Sequence, residues 1–405
     1  MKRREWQNVR LGSYCTKIGS GSTPRGGEQV YQSEGTTFIR SQNVYNGLFT
    51  TDGLAFLGDE EATQLEGVTV EKSDVLLNIT GDSVARCCQV PESVLPARVN
   101  QHVAIVRAKP DEFDSRFLKY FFISPYMQAT MLSLAGSGGT RKALTKEMIQ
   151  NFNVPKPALP IQEEIADVLS AYDEMMENNR RRMELLEESA RLLYREWFVR
   201  LHFPGHEHAR LTNGIPAGWE RKTLGDICAE IRESVLPEEL EPDTPYIGLE
   251  HMPRRSISLT EWGQAEAVTS TKHRFKTGDI LFGKIRPYFH KVGIAFTDGV
   301  ASSDAIVIRP NSDELRSFVL MTVSSDKFVA EASQTMREGS KMPRADWKLM
   351  TTFPIALPSQ GLLESFSETA TAITDQLRNL CFQNQKLRAA RDMLLPRLMS
   401  GEITK

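Results

Sequence analysis

The sequence predicts an α+β protein in which two β-rich domains form a pseudo-two-fold repeat. Two long helices, paired as an antiparallel coiled coil, separate these domains. Three observations lead to this prediction: an internal repeat, short Val/Ile/Leu-rich runs inside each repeat, and a long helical periodicity at the end of each one. A chain of 405 residues, 40% of them hydrophobic, can bury a separate core in each half.

The internal repeat has an offset of roughly 200 residues. Lys72–Leu77 matches Thr277–Phe282, and Val103–Arg107 matches Ala305–Arg309. The offset drifts by only a few residues along the chain. Two related halves that differ by small loop insertions and deletions explain this pattern most simply.

Each half has the same internal order. Short apolar runs such as Val68–Val70, Asp74–Ile79 and Val103–Arg107 predict strands, and Gly, Pro, Asn and Asp punctuate them. A Pro-containing exit and a long helix follow, at Val154–Pro160 and again at Phe353–Pro358. We therefore expect β-rich domains at residues 1–157 and 211–357, and helical regions at 158–210 and 358–405.

Apolar residues in both helical regions recur in steps of three and four, which over about four heptads indicates a coiled-coil seam. An amphipathic helix packed on a globular core is the alternative. We expect one Asn in each seam to set the register rather than to catalyse, and Pro396 to end the second helix. The predicted seams are Leu169, Tyr172, Met176, Asn179, Met183, Leu186, Leu193 and Trp197, and Ile373, Leu377, Leu380, Asn384, Leu387 and Leu394.

The lengths of the helices suggest a spacing function. At about 1.5 Å per residue, Ile165 to Leu201 would span roughly 55 Å, and Leu362 to Leu395 roughly 50 Å. Antiparallel pairing would hold the β-rich domains at opposite ends of such a rod. This length suits two reading heads placed on DNA major-groove segments about one to one and a half turns apart.

Composition limits the function further. With 49 basic and 52 acidic residues, the chain is no polycation, so any binding to nucleic acid must come from local clusters. The sequence has no apolar run of ~20 residues that predicts a membrane span, and we expect a cytoplasmic protein. The five cysteines include no C-x-x-C pair, which predicts reduced thiols and no zinc site.

Several short motifs follow one another over nearly the full length of the chain. They are Gly19–Pro24, Phe38–Val44, Asp74–Ser83, Val99–Val103, Gly138–Lys142, Tyr246–His251, Gly278–Tyr288, Arg391–Leu398 and Ser400–Ile403. In this order they resemble the specificity (S) subunits of type I restriction–modification systems, the HsdS family.

The resemblance implies a non-catalytic DNA-recognition subunit. Residues 1–157 and 211–357 would be target-recognition domains, each reading one half of a bipartite double-stranded DNA target. Residues 158–210 and 358–405 would be conserved helical regions that set the gap between the half-sites. Their exposed faces, within 161–202 and 359–398, would dock two modification (methyltransferase) subunits.

The same resemblance implies that the chemistry resides on partners. The modification subunits would methylate adenine with S-adenosylmethionine, and ATP-dependent restriction subunits would be recruited to the same site. S-adenosylmethionine, ATP and Mg²⁺ would then bind to those partners, with no cofactor in this chain. The alternative is a non-enzymatic scaffold or ligand-binding protein with a duplicated β domain.

Candidate DNA contacts are basic, amide and aromatic side chains that suit phosphates and base edges. Lysines that guard a strand edge, or plain loops, are the alternative interpretation. The candidates of the first half are Arg40, Ser41, Gln42, Asn43, Arg141 and Lys142. Those of the second half are Lys272, Arg274, Lys284, Arg286, Tyr288, Lys291, Lys341 and Arg344.

Signals for an enzyme are weak. The sequence contains no Gly-x-x-x-x-Gly-Lys-Ser/Thr phosphate loop and no Asn/Asp-Pro-Pro-Tyr/Phe methyltransferase motif. Asp346-Trp347-Lys348 resembles the end of a nuclease metal site but has no upstream acidic strand. His202, His206 and His208 are interpreted as a surface loop. We therefore predict neither a catalytic residue nor a metal site.

Overall fold

The computed structural model describes residues 6–136, 142–212, 214–335 and 342–403. The chain forms two compact units, and contacts within the chain define them. Unit 1 comprises Met1–Met176 with Lys386–Lys405, and unit 2 comprises Glu177–Gln385. Each unit therefore contains one β-rich part and a segment of both long helices. The four sequence-based domain boundaries stay a prediction.

Unit 1 is built mainly from short strands. Its helices are α1 (Asp59–Gln64), α2 (Ser115–Ile123), α3 (Pro125–Gly136), α4 (Lys146–Gln150) and the start of α5 (Leu159–Tyr194). Its strands are β1 (Asn8–Arg10), β2 (Cys15–Ser20), β3 (Thr36–Ile39), β4 (Val44–Tyr45), β5 (Leu48–Phe49), β6 (Ala55–Leu57), β7 (Thr69–Val70), β8 (Val75–Asn78), β9 (Cys87–Gln89), β10 (Ala97–Val99), β11 (Val103–Ala108) and β12 (Asn153–Pro155).

Two four-stranded sheets carry the β-rich part of unit 1, which we call head 1 (β1 to β12). Their strand orders are β6-β3-β10-β7 and β2-β11-β8-β9. β3 and β10 pair in parallel, whereas the other pairs in these sheets are antiparallel. β1 pairs with β12, so the start and the end of the head are joined by one ladder.

Unit 2 contains the same kinds of elements. Its helices are α6 (Asp313–Val323), α7 (Asp326–Gln334), α8 (Trp347–Met350) and most of α9 (Gln360–Met399). Its strands are β13 (Leu211–Thr212), β14 (Ile215–Pro216), β15 (Glu220–Thr223), β16 (Cys228–Ile231), β17 (Ser234–Val235), β18 (Pro245–Ile247), β19 (Ser258–Leu259), β20 (Gly263–Gln264), β21 (Lys272–Phe275), β22 (Ile280–Gly283), β23 (Val292–Ala295), β24 (Gly299–Ala301), β25 (Ala305–Pro310) and β26 (Pro354–Leu357).

The two five-stranded sheets of unit 2 contain the strand orders of head 1, and each has one further edge strand, β19 or β17. Their orders are β16-β25-β22-β23-β19 and β17-β21-β24-β18-β20, and β15 pairs with β26 as β1 does with β12. The parallel pair β18–β24 takes the place of β3–β10. We call the part from β15 to β26 head 2. The predicted α+β class with a duplicated β-rich domain is confirmed.

A buried carboxylate at the start of one central strand recurs in both heads. Arg107 binds Asp74 through Nε and Nη2 at 2.7 and 2.8 Å, and Arg309 binds Asp279 at 2.7 and 2.7 Å. Both aspartates also accept a backbone N–H from three residues earlier. These hydrogen bonds raise the pKa of each arginine, and the fork geometry fixes the turn before the strand. The repeat therefore extends to individual side chains.

The predicted seam residues of the long helices are all buried or half-buried. In unit 2, Asn179 Nδ2 donates to Asn384 Oδ1 at 2.9 Å, and the ring of Tyr194 contacts that of Phe366. Because later α5 residues meet earlier α9 residues, the helices are antiparallel, as predicted. In unit 1, Arg391 of α9 binds Asp173 of α5 at 2.7 Å.

The helices also pack on the heads. Leu169 of α5 and Leu398 of α9 belong to the core of unit 1, together with Phe117 of α2. In unit 2, Leu377 and Phe318 share a core in the same manner. The seam is thus part of two globular cores as well as a helix pair, so both interpretations of the periodicity apply.

The prediction that Pro396 ends the second helix is wrong, because α9 continues to Met399. A proline in the last turn removes only one backbone hydrogen bond. Leu395, Leu398 and Met399 around it are buried in the core of unit 1, and this packing keeps the turn helical. Among the described residues, no helix is long and apolar enough to cross a membrane.

We expect Asn179→Ala to destabilise the chain, because Asn384 and Gln383 lose a donor inside the helix pair. The cost should be roughly 1–2 kcal/mol, measured as a lower midpoint of urea-induced unfolding. Glu188→Ala, at an exposed position of the same helix, is the control and should leave the midpoint unchanged. Equal midpoints for the two variants would contradict a register role for Asn179.

Candidate nucleic-acid interface

An open cleft of about 440 Å³ lies in head 1. Four segments form it: the turn after β3, strand β4, the loop between β8 and β9, and the residue before β11. We call it cleft 1. Its lining is mostly polar and consists of Ser41, Gln42, Tyr45, Thr80, Gly81, Asp82, Ser83, Arg86 and His102.

The side chain of Asn43 stabilises the turn after β3 by hydrogen bonds to backbone groups. Its Oδ1 accepts the Arg40 N–H at 3.0 Å, and its Nδ2 donates to the carbonyls of Thr50 and Asp52 at 3.0 and 3.3 Å. Asn43 is completely buried, so it positions the turn and does not offer its amide to DNA. This corrects its prediction as a base contact. Ser41, in the same turn, lines the cleft.

Arg40 is engaged within head 1. Its Nη2 donates to the Gly53 carbonyl at 2.6 Å, its Nη1 lies 3.3 Å from a Glu28 carboxylate oxygen, and its guanidinium lies over Tyr31. Gln42 is exposed and donates to the same Gly53 carbonyl at 3.1 Å. The sequence-predicted cluster therefore separates into two internal residues, Arg40 and Asn43, and two that reach the cleft, Ser41 and Gln42.

The loop between β8 and β9 forms the opposite wall. Ala85 has a φ of 73°, in the left-handed region that non-glycine residues rarely adopt, and its N–H bonds the Asn78 carbonyl at 2.9 Å. This turn places the guanidinium of Arg86 over the ring of Tyr45, 4.7 Å from its centroid. The Gly81 N–H bonds the Lys142 carbonyl, which brings exposed Lys142 beside the cleft. Arg141 lies outside the described residues.

Head 2 repeats this framework with other side chains. Gly248 N–H donates to His251 Nδ1 at 3.0 Å, as the Arg40 N–H does to Asn43. The Gly283 N–H bonds the Lys291 carbonyl, matching Asn78 and Arg86. We call the corresponding region surface 2, defined by Leu249, Glu250, Lys284, Arg286, Tyr288, Lys291, Asp304 and Arg344.

Two predicted cations of head 2 make hydrogen bonds within the head, which counts against their prediction as DNA contacts. Lys272 is buried, and its Nζ donates to the carbonyl and hydroxyl of Ser270 at 2.9 and 2.7 Å. Lys291 Nζ donates to the Leu249 carbonyl at 2.5 Å. Burial lowers the pKa of both ammonium groups. Both ammonium groups thus support loops of head 2.

The other candidates of head 2 remain accessible. Arg274, Arg286 and Tyr288 are exposed, and Lys284 is half-buried. Arg344 is exposed and binds Asp304 at 3.0 Å, which presents a donor and an acceptor side by side. Lys341 lies outside the described residues.

Several residues of cleft 1 were not predicted as DNA contacts, namely Tyr45, Thr80, Asp82, Arg86 and His102. Thr80 Oγ1 and His102 Nδ1 lie 2.6 Å apart, and His102 occupies the repeat position of Asp304. The repeat could have revealed Arg86, because it aligns with Lys291. Cleft 1 and surface 2 therefore present different donors and acceptors on one framework.

The weaker enzyme signals have structural explanations. Asp346 caps α8, its Oδ1 accepting the Lys348 N–H at 2.9 Å. His202 Nδ1 lies 2.9 Å from a Glu196 carboxylate oxygen. The described residues contain no group of three or more His, Cys, Asp or Glu that could hold a metal ion. The cysteines are free, and burial raises the pKa of Cys88 and Cys228 to about 12, so these thiols stay protonated.

We expect Asn43→Ala to destabilise head 1 by roughly 1–3 kcal/mol, because three backbone groups lose their partner in the turn. Gln42→Ala, at the exposed neighbouring position, should change the free energy of unfolding by less than about 0.5 kcal/mol. Urea-induced unfolding measures both. A stable Asn43→Ala variant would contradict the positioning role.

Comparisons with known proteins agree with this geometry. Residues 3–188 match the family model described as Type I restriction modification DNA specificity domain. The MjaIX specificity subunit of Methanocaldococcus jannaschii is 23% identical over 402 residues, covering 96% of this chain and 91% of that protein. The EcoDI specificity subunit of Escherichia coli is 24% identical over 301 residues, covering 66% of each chain.

A solved structure supports the fold. The S subunit of a type I restriction–modification system from M. genitalium superposes with a TM-score of 0.59 at 17% identity, covering 98% of both chains. Residues 3–188 thus match a type I restriction modification DNA specificity domain, and over nearly its full length the chain is similar in sequence to type I specificity subunits and in fold to the S subunit from M. genitalium.

Proposed function

We propose that the chain reads a bipartite double-stranded DNA target, one half-site through cleft 1 and the other through surface 2. The observation that carries this proposal is the duplication of one framework with different polar side chains. A bipartite reader needs two similar supports, because each must meet a groove. It also needs different donors and acceptors wherever the two half-sites differ in sequence.

The accessible groups suit base edges and phosphates. Ser41 and Gln42 in cleft 1 can donate and accept, and Arg344 with Asp304 on surface 2 does so as a pair. Lys142, Arg274 and Arg286 are exposed cations that can meet phosphates. The net charge of -3 predicts that this chain alone gains little from counterion release, so partners would supply much of the affinity.

The reactions themselves belong, in this proposal, to partners, and the chain is not an enzyme. Two modification subunits would bring S-adenosylmethionine and methylate adenine, and restriction subunits would bring ATP and Mg²⁺. Large apolar side chains on the long helices support the docking of such partners. Met175, Leu185 and Met393 are 54%, 70% and 70% exposed, although they belong to regular helices.

Two further parts of the proposal concern the long helices and the place of action. The paired helices would set the gap between the half-sites, since both helices continue from one unit into the other. The chain would act in the cytoplasm, with access to cellular DNA.

A methylome of cells with and without this gene tests the proposed function. We expect one bipartite, adenine-methylated motif to disappear with the gene and to return on complementation. The matched control is complementation with a variant at an exposed position outside both reading regions, Lys72→Ala, which should restore the same motif. An unchanged methylome would contradict DNA recognition and favour the scaffold or ligand-binding alternative.

A further inference from the structure

Three guanidinium groups in the described part of head 1, those of Arg10, Arg25 and Arg86, make no hydrogen bond or ion pair within it, and of these only Arg86 lines cleft 1. The side chains of Arg40, Arg98, Arg107 and Arg116 each donate to a carbonyl or carboxylate of the chain. Arg86 is half-buried in cleft 1, yet its side chain makes no hydrogen bond or ion pair within the described residues. Its N–H donors therefore remain for a molecule that enters the cleft.

Two features fix the position of Arg86: the ring of Tyr45 under its guanidinium and the backbone hydrogen bonds of the next residue, Cys87. Tyr45, which lies under the guanidinium, belongs to the hairpin of β4 and β5. That hairpin is tied to the strand after Arg86, because Asn46 Oδ1 accepts the Cys87 N–H at 3.1 Å and the Gly47 N–H donates to the Cys87 carbonyl at 2.8 Å. The stacked pair is thus organised before any ligand binds, which lowers the entropic cost of binding.

We infer that Arg86, stacked on Tyr45, recognises a guanine edge in the half-site read by head 1. This inference rests on the proposed function. A planar guanidinium donates two parallel N–H groups, and guanine presents two acceptors, O6 and N7, side by side in the major groove. Adenine presents one donor and one acceptor there, so it does not match. Ser41, Gln42 and Asp82 around Arg86 can contact the neighbouring groups of the base pair.

Head 2 lacks this reader at the equivalent position. Lys291 stands where head 1 has Arg86, and it donates to the Leu249 carbonyl. Lys291 has no planar fork, so the guanine contact inferred for Arg86 has no counterpart at this position of head 2.

The test uses the chain in complex with its modification subunit, and it measures methylation of duplexes that vary one position at a time around the wild-type motif. Arg86→Ala should lower discrimination at one G·C pair of one half-site by roughly 10- to 100-fold, while the other positions stay unchanged. Arg86→Lys should lower this discrimination less than Arg86→Ala does, because an ammonium can still reach O6 and N7 but lacks the planar fork that stacks on Tyr45. Lys72→Ala removes an exposed cation of the same head and should leave the motif intact.

Tyr45 provides a second pair of variants. Tyr45→Phe keeps the ring under Arg86 and should retain the wild-type motif, whereas Tyr45→Ala should relax the same position as Arg86→Ala. A uniform loss of methylation on every duplex, with the motif unchanged, would show a phosphate contact and overturn the inference. So would wild-type discrimination in Arg86→Ala. A wild-type complex that methylates no bipartite motif would instead overturn the proposed function.

Discussion

Apolar packing of each head onto segments of both long helices is the interaction on which the rest of the structure depends. In unit 1 the core joins Phe117 of the head to Leu169 and Leu398 of the helices, and in unit 2 it joins Phe318 to Leu377. Burying such side chains contributes about 1.5–3 kcal/mol each, so a head without its helix segments would expose much of its core. The helices are therefore structural parts of the heads.

Within each head, a rigid interior supports variable loops. The forks Asp74–Arg107 and Asp279–Arg309 fix one central strand in the same manner twice. The turn after β3 and the turn after β18 keep one backbone pattern, although Asn43 supports the first and His251 the second. Such an arrangement lets the side chains at the surface differ between the heads without disturbing the core.

The strand runs and the helix periodicity could be predicted because they follow from local spacing of apolar residues, and the repeat because similar residues recur roughly 200 positions apart. The continuation of α9 beyond Pro396 could not be predicted, because the residues that pack around this turn come from distant parts of unit 1. Residue type alone suggested Asn43 and Lys272 as DNA contacts, and only the structure shows both to be buried. Arg86 was not predicted as a DNA contact, because Tyr45, on which it stacks, is distant in sequence and is brought to it by the β4–β5 hairpin.

Site-specific photo-crosslinking of the complex to its methylated duplex tests most directly whether two heads read two half-sites. A crosslinking amino acid would replace exposed Asp82 in cleft 1 or exposed Arg286 on surface 2, one at a time. We expect the two crosslinks to map to opposite halves of the same bipartite site. Crosslinks from both positions to one half, or to sequences unrelated to the motif, would contradict this assignment.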